Sequence, residues 1–123
     1  MEDKIFLNSL RIAFFGIKSA LEKERNFRIL FLIAVIVIIL MIVLELNPIE
    51  KSILLLTILV VLSLELINSQ IEKFLDLIQP GLRPSVKIIK DLSAGAVLFS
   101  ALGSIVIGIL IFLPHIINLI ESR

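Results

Sequence analysis

Ile29 to Leu44 is sixteen consecutive apolar residues. One environment suits a helix built from such a run: the hydrocarbon core of a bilayer. About 20 helical residues cross that core, and slightly shorter runs manage with snorkelling flanks. Ala94 to Leu113 adds twenty residues without a charge. Between them, Ile53 to Leu64 is apolar except for Thr57 and Ser63. The 123-residue chain is 59% hydrophobic with mean hydropathy +1.11, where soluble domains are about half apolar. It therefore reads as an all-α integral membrane protein with three spans, forming a single domain over 1–123.

The elements follow from breakers and periodicity. Residues 3–25 predict an amphipathic helix: Phe6, Leu10, Ala13, Ile17 and Leu21 on one side, Lys4, Arg11, Lys18 and Glu22 on the other. Such a helix lies in the membrane interface or packs on the protein's own spans. Spans are expected at 28–46, 48–78 and 85–113. Asn47-Pro48 offers an N-cap followed by proline at the first helical position. Gln79-Pro80-Gly81 stops the second span, Arg83-Pro84-Ser85 opens the third, and Pro114-His115 is expected to end it. His115 reads as an interfacial cap. Ala96, Ser100, Ser104 and Gly108 recur every four residues, which predicts close approach of another helix.

Charge placement gives an orientation. Six Lys and Arg precede the first span and four lie between the second and third, against Lys51 and Arg123 on the other side. The positive-inside rule puts the N-terminus and second loop in the cytosol. No secretory signal is expected in the first 28 residues, which carry Glu2, Asp3, Glu22 and Glu24 and no apolar core. The chain has no cysteine, which excludes disulfides and thiolate chemistry. P-loop and protein-kinase motifs are absent, and no nucleic-acid partner is expected.

Past Leu64 the second span turns polar: Glu65, Asn68, Glu72 and Asp76 are spaced three, four and four apart. On a helix they share one face. Carboxylates on one stripe repel unless a cation or protons neutralise them, and ionisable groups at the edge of a span commonly mark a site. A solvated acidic face on a helix leaving the bilayer is the alternative. Counting outward from Gly81 places Glu72 and Lys90 at similar depth. One level is thus expected to collect Glu24, Glu65, Asn68, Glu72, Asp76, Lys90 and Asp91. Carboxylates from different segments can hold Mg²⁺ with substrate phosphates. A lysine offers charge to phosphate, and a carboxylate near the bilayer can take a proton from a lipid hydroxyl. These parts suit phosphoryl transfer to a lipid alcohol.

Glu65-Leu66-Ile67-Asn68-Ser69-Gln70-Ile71-Glu72-Lys73-Phe74-Leu75-Asp76 resembles the signature of the small prokaryotic diacylglycerol kinases, roughly E-x-x-N-[ST]-[AS]-[LIV]-E-x-x-x-D. Lys90-Asp91-Leu92-Ser93-Ala94-Gly95-Ala96-Val97 is similar to the family's second block. Glu24-Arg25-Asn26-Phe27-Arg28 and the ending Ile111-Phe112-Leu113-Pro114 look like the undecaprenol kinase branch. The resemblance covers nearly the whole chain. It implies a homotrimer in a bacterial cytoplasmic membrane, with active sites shared between subunits. It further implies that Glu65 is the general base, that Glu24 and Glu72 bind Mg²⁺, and that Asn68, Lys90 and Asp91 position ATP. Asp76 takes a structural or electrostatic role. The implied acceptor is undecaprenol, with diacylglycerol the alternative. Gln70 departs from the family's small residue, and Ile12 cannot stack on adenine as the family's aromatic there can. A non-enzymatic oligomeric subunit with Glu65 as an ion site is the competing expectation; it leaves Glu24, Lys90 and Asp91 without a role.

Overall fold

The computed structural model describes residues 1–81 and 83–123, and its regular elements are four helices: α1 Glu2–Lys23, α2 Arg25–Val43, α3 Pro48–Ile78 and α4 Pro84–Glu121. The last three are long and apolar enough to cross a membrane. The expected bounds for α3 hold at both ends. α1 ends two residues earlier than expected, and α2 runs over Arg25–Val43 rather than 28–46.

A single residue separates α1 from α2. Glu24 is extended, at φ −103° and ψ 107°, while its N–H still donates to the Ala20 carbonyl at 2.8 Å. The Arg28 guanidinium donates to the Glu22 carbonyl at 2.8 Å and to that of Leu21 at 3.4 Å. The last turn of a helix leaves carbonyls without partners, and Arg28 supplies donors to two of them. Phe27 is buried beside this corner.

The turn between α2 and α3 is fixed by backbone chemistry. The Glu45 N–H donates to the Ile42 carbonyl and the Leu46 N–H to that of Met41, each at 3.2 Å. Glu45 has φ 52°. This is a Schellman motif with glutamate in the left-handed position that glycine usually holds. Leu46 is buried against Met41 and Leu54, and Ile107, Ile111 and Phe112 of α4 pack around them. Asn47 Oδ1 then accepts from the Glu50 N–H at 2.9 Å, with Pro48 in the first turn, as the sequence predicted.

α3 packs most extensively on α4, and two polar pairs fix their antiparallel register. At the hairpin end Lys90 Nζ lies 2.5 Å from Asp76 Oδ1. At the far end His115 Nε2 lies 2.9 Å from Glu50 Oε2. α4 does not stop at Pro114; it continues to Glu121. Proline removes one helical hydrogen bond, but spans tolerate this where neighbouring elements hold the helix, and here His115 is tied to α3 in the next position. His115 is thus an inter-helix tie rather than a cap.

The small-residue stripe does not close against another helix of this chain. Ser104 and Gly108 line an apolar groove of about 210 Å³ between α2, α3 and α4. A Cβ on Gly108 would meet no atom within 4 Å. The Ser100 and Ser104 hydroxyls donate to their own helix, at the Val97 and Ala101 carbonyls. The expected tight approach is therefore not made within the chain. Four small residues remove bulk, but the neighbouring backbone does not fill the space.

Candidate active site at the polar end of the second span

α3 begins at Pro48, so Glu65 lies roughly 26 Å along it at 1.5 Å per residue. Glu65 is 4% exposed, Asn68 5% and Ser69 8%, the buried polar residues of the described chain. The helical period places Asn68 and Glu72 beside Glu65 on one face, as expected. Asn68 Nδ2 donates to Glu72 Oε1 at 3.4 Å. Its Oδ1 is buried with no protein partner. A buried acceptor left unpaired costs stability, so this oxygen is a natural ligand position for a donor or a cation. Glu24 enters from the α1–α2 corner. Among the described residues no three Asp, Glu or His side chains come together as a group that could hold a metal ion by themselves.

Lysine placement departs from expectation in two ways. Lys90 pairs with Asp76, one turn closer to the hairpin than Glu72. Helix side chains lean toward their own N-terminus, which for α4 is the hairpin end, so the long Lys90 stem reaches back rather than across. Asp91 pairs with Lys87 on its own helix at 2.6 Å, and both side chains are largely exposed. Among the described residues, no hydrogen bond or ion pair joins Lys90 or Asp91 to Glu24, Glu65 or Glu72. The single level expected from the sequence is therefore two adjacent groups: Glu24, Glu65, Asn68 and Glu72 in one, Asp76, Lys87, Lys90 and Asp91 in the other.

Lys73 is the residue that sequence reasoning missed. Its ammonium forms an ion pair with Glu24, 49 positions away. The pairing has no local signature, since Lys73 looks like one more basic residue near the interface. Both residues line a cleft of about 400 Å³ between α1 and α3, together with Ile12, Gly16, Ser19 and Gln70. The two departures from the family pattern, Ile12 and Gln70, therefore face one cavity.

A model of the prokaryotic diacylglycerol kinase family matches residues 11–112, which takes in both polar groups, all of α2 and α3 and most of α4. The chain belongs to that family. Among its relatives, it is 37% identical over 114 residues to a protein named diacylglycerol kinase from Synechocystis sp., covering 92% of this chain and 65% of the relative. It is 43% identical over 101 residues to a protein named undecaprenol kinase from Bacillus subtilis, covering 82% of each. The chain thus spans just under two thirds of the length of the first relative. The family and both relatives carry the names of lipid kinases.

Proposed function

We propose that this protein transfers the γ-phosphoryl group of ATP to the hydroxyl of a membrane lipid, with undecaprenol the preferred acceptor and diacylglycerol the alternative. The observation that carries this is Glu65: a carboxylate buried at the polar end of a membrane helix, with Asn68 and Glu72 on the same helix face. The 43% identity to the undecaprenol kinase of Bacillus subtilis supports the choice of acceptor.

Glu65 is the general base. It takes the proton from the lipid hydroxyl as that oxygen bonds to the γ-phosphorus, and the bond from γ-phosphorus to the bridging oxygen breaks to release ADP. The base sits at the edge of the apolar region, where a lipid alcohol presents its hydroxyl while its chain stays in the bilayer. Asn68 holds Glu72 in place through its amide N–H and leaves its carbonyl oxygen free. Lys90 and Asp91, paired in the free protein with Asp76 and Lys87, are assigned to positioning the nucleotide phosphates.

No group of three carboxylate or histidine side chains among the described residues could hold a metal alone, so Mg²⁺ would come in with the nucleotide, with Glu24 and Glu72 as the carboxylates assigned to it. A bound Mg²⁺ would supply charge neutralisation at the transferring phosphate.

The assembly belongs to the same proposal. Most apolar side chains of α4 are uncovered in the single chain, which supports a homotrimer embedded in lipid. α1 exposes Ile5, Phe6, Phe14 and Phe15, which supports a position along the membrane interface as an amphipathic surface helix. The excess of Lys and Arg before α2 and around the α3–α4 hairpin supports a cytosolic N-terminus in a bacterial cytoplasmic membrane. The deciding experiment offers labelled MgATP with undecaprenol or diacylglycerol to the purified protein in micelles. Labelled undecaprenyl phosphate as the main product is expected. Labelled phosphatidic acid would reverse the acceptor, and no labelled lipid would defeat the reading.

A further inference from the structure

We propose that the apolar groove between α2, α3 and α4 is the track for a single hydrocarbon chain of the acceptor lipid, and that Ser104 and Gly108 set the girth of chain it admits. The inference rests on the kinase reading, since the chain must end in the hydroxyl presented to Glu65.

The groove and the base share one face of α3. Leu54, Ile58 and Val61 line the groove, and Glu65 follows them at the same helical spacing. Val61 is thus one turn from the buried carboxylate. The register set by the pairs Lys90–Asp76 and His115–Glu50 brings Ala101 level with Glu65, Ser104 with Leu62, and Gly108 with Ile58. From Leu62 to Leu54 the groove runs about 12 Å. It closes on the core, where Leu54 and Phe112 pack with Met41 and Leu46.

The walls suit hydrocarbon. Thr57 and Ser104 are the polar side chains that line the groove, and their hydroxyls donate to the Ile53 and Ala101 carbonyls at 2.7 and 2.6 Å. Neither has a donor left, so a polar occupant would lose its hydrogen bonds to water without replacement. The volume is about 210 Å³. An apolar cavity of about 150 Å³ holds one benzene, so one chain passes here and two abreast do not. A helix with its side chains is about 10 Å across and does not enter. Ile33 and Ile105, also in the lining, are 51% and 56% exposed, so the rest of a long chain leaves sideways into the bilayer. A polyprenol carries its hydroxyl on one chain, whereas a diacylglycerol carries it on a glycerol bearing two. The groove therefore favours the polyprenol. A Cβ on Gly108 meets no atom within 4 Å, so a side chain added there narrows the groove without displacing the protein's own atoms. The repeated small residues of α4 keep a channel open rather than close a contact.

The test is photo-crosslinking of the full-length protein in micelles by a prenol with a diazirine near its hydroxyl end, mapped by peptide mass spectrometry. In the wild type the label should fall on residues 54–62 and 101–112, and undecaprenol should compete it off at about 5-fold lower concentration than diacylglycerol. Ser104→Leu and Gly108→Leu should cut this labelling and raise KM for undecaprenol about 10-fold with kcat little changed, and Gly108→Ala should lie between. Val106→Leu, outside the groove lining and 55% exposed, should match the wild type. Wild-type label elsewhere, equal competition by the two lipids, or an unchanged KM in both leucine variants would overturn the proposal. So would a smaller oligomer for both on size exclusion, which would give the groove to a second copy of the chain. Lipid phosphorylation by the wild type is a separate readout. Phosphorylated lipid with the label outside the groove refutes this inference alone, and competed label in the groove without a lipid product refutes the kinase reading alone.

Discussion

The two ends of α3 are built on opposite terms. At the Pro48 end, Asn47 caps the helix, Glu50 meets His115, and Met41, Leu46 and Leu54 form the buried core. At the Glu65 end, Lys73 pairs with Glu24, no ion pair among the described residues reaches Glu65 or Glu72, and the Asn68 carbonyl is buried without a partner. The first end satisfies its polar groups and packs its apolar ones. The second leaves both charge and hydrogen-bonding capacity open. Ends that are satisfied contribute stability, and ends that are not have room for a ligand. The comparison forecasts that substitutions at the two ends affect different measurements.

The largest effect is expected at the open end. Glu65→Gln keeps shape but removes the proton acceptor, so kcat for lipid phosphorylation should fall by about 10²–10⁴-fold while thermal stability in detergent holds or rises. Near-normal turnover would pass the base to another carboxylate and erase the distinction between the ends. At the closed end, Leu54→Ala leaves a cavity in the core and should lower unfolding stability by about 2 kcal/mol, with activity per folded molecule retained. Loss of activity at unchanged stability would show that the closed end also serves the chemistry.

Smaller effects sharpen the picture. Asn47→Ala removes the cap of α3 and should cost about 1 kcal/mol by thermal or denaturant unfolding. Glu45→Gly acts in the other direction. With φ at 52°, glutamate holds a conformation that glycine adopts without strain, so the variant should be more stable by roughly 1 kcal/mol, with lipid phosphorylation unchanged. A destabilised Glu45→Gly would mean that the glutamate side chain itself supports the turn. His115→Ala is expected to change stability least, by about 0.5 kcal/mol, because the pair it removes is partly exposed.

Much of this protein was legible in local chemistry. Uninterrupted apolar runs determined three spans, because unpaired backbone in a bilayer admits helices or closed barrels and the runs have helical length. Asn47-Pro48 determined the start of α3, because a cap and a preset φ act within one turn. The placement of Glu65, Asn68, Glu72 and Asp76 on one face followed from the helical period alone, and the same residues carried the family resemblance. Tertiary structure decided what each polar group meets. Lys73 takes Glu24, Lys90 takes Asp76 rather than Glu72, and α4 runs on through Pro114 with His115 paired to Glu50. The small-residue stripe borders a groove rather than a closed contact for the same reason. Local rules act over one turn, where backbone geometry fixes every distance. Pairing across helices depends on register and on the lean of long side chains, and a shift of one turn exchanges one partner for another.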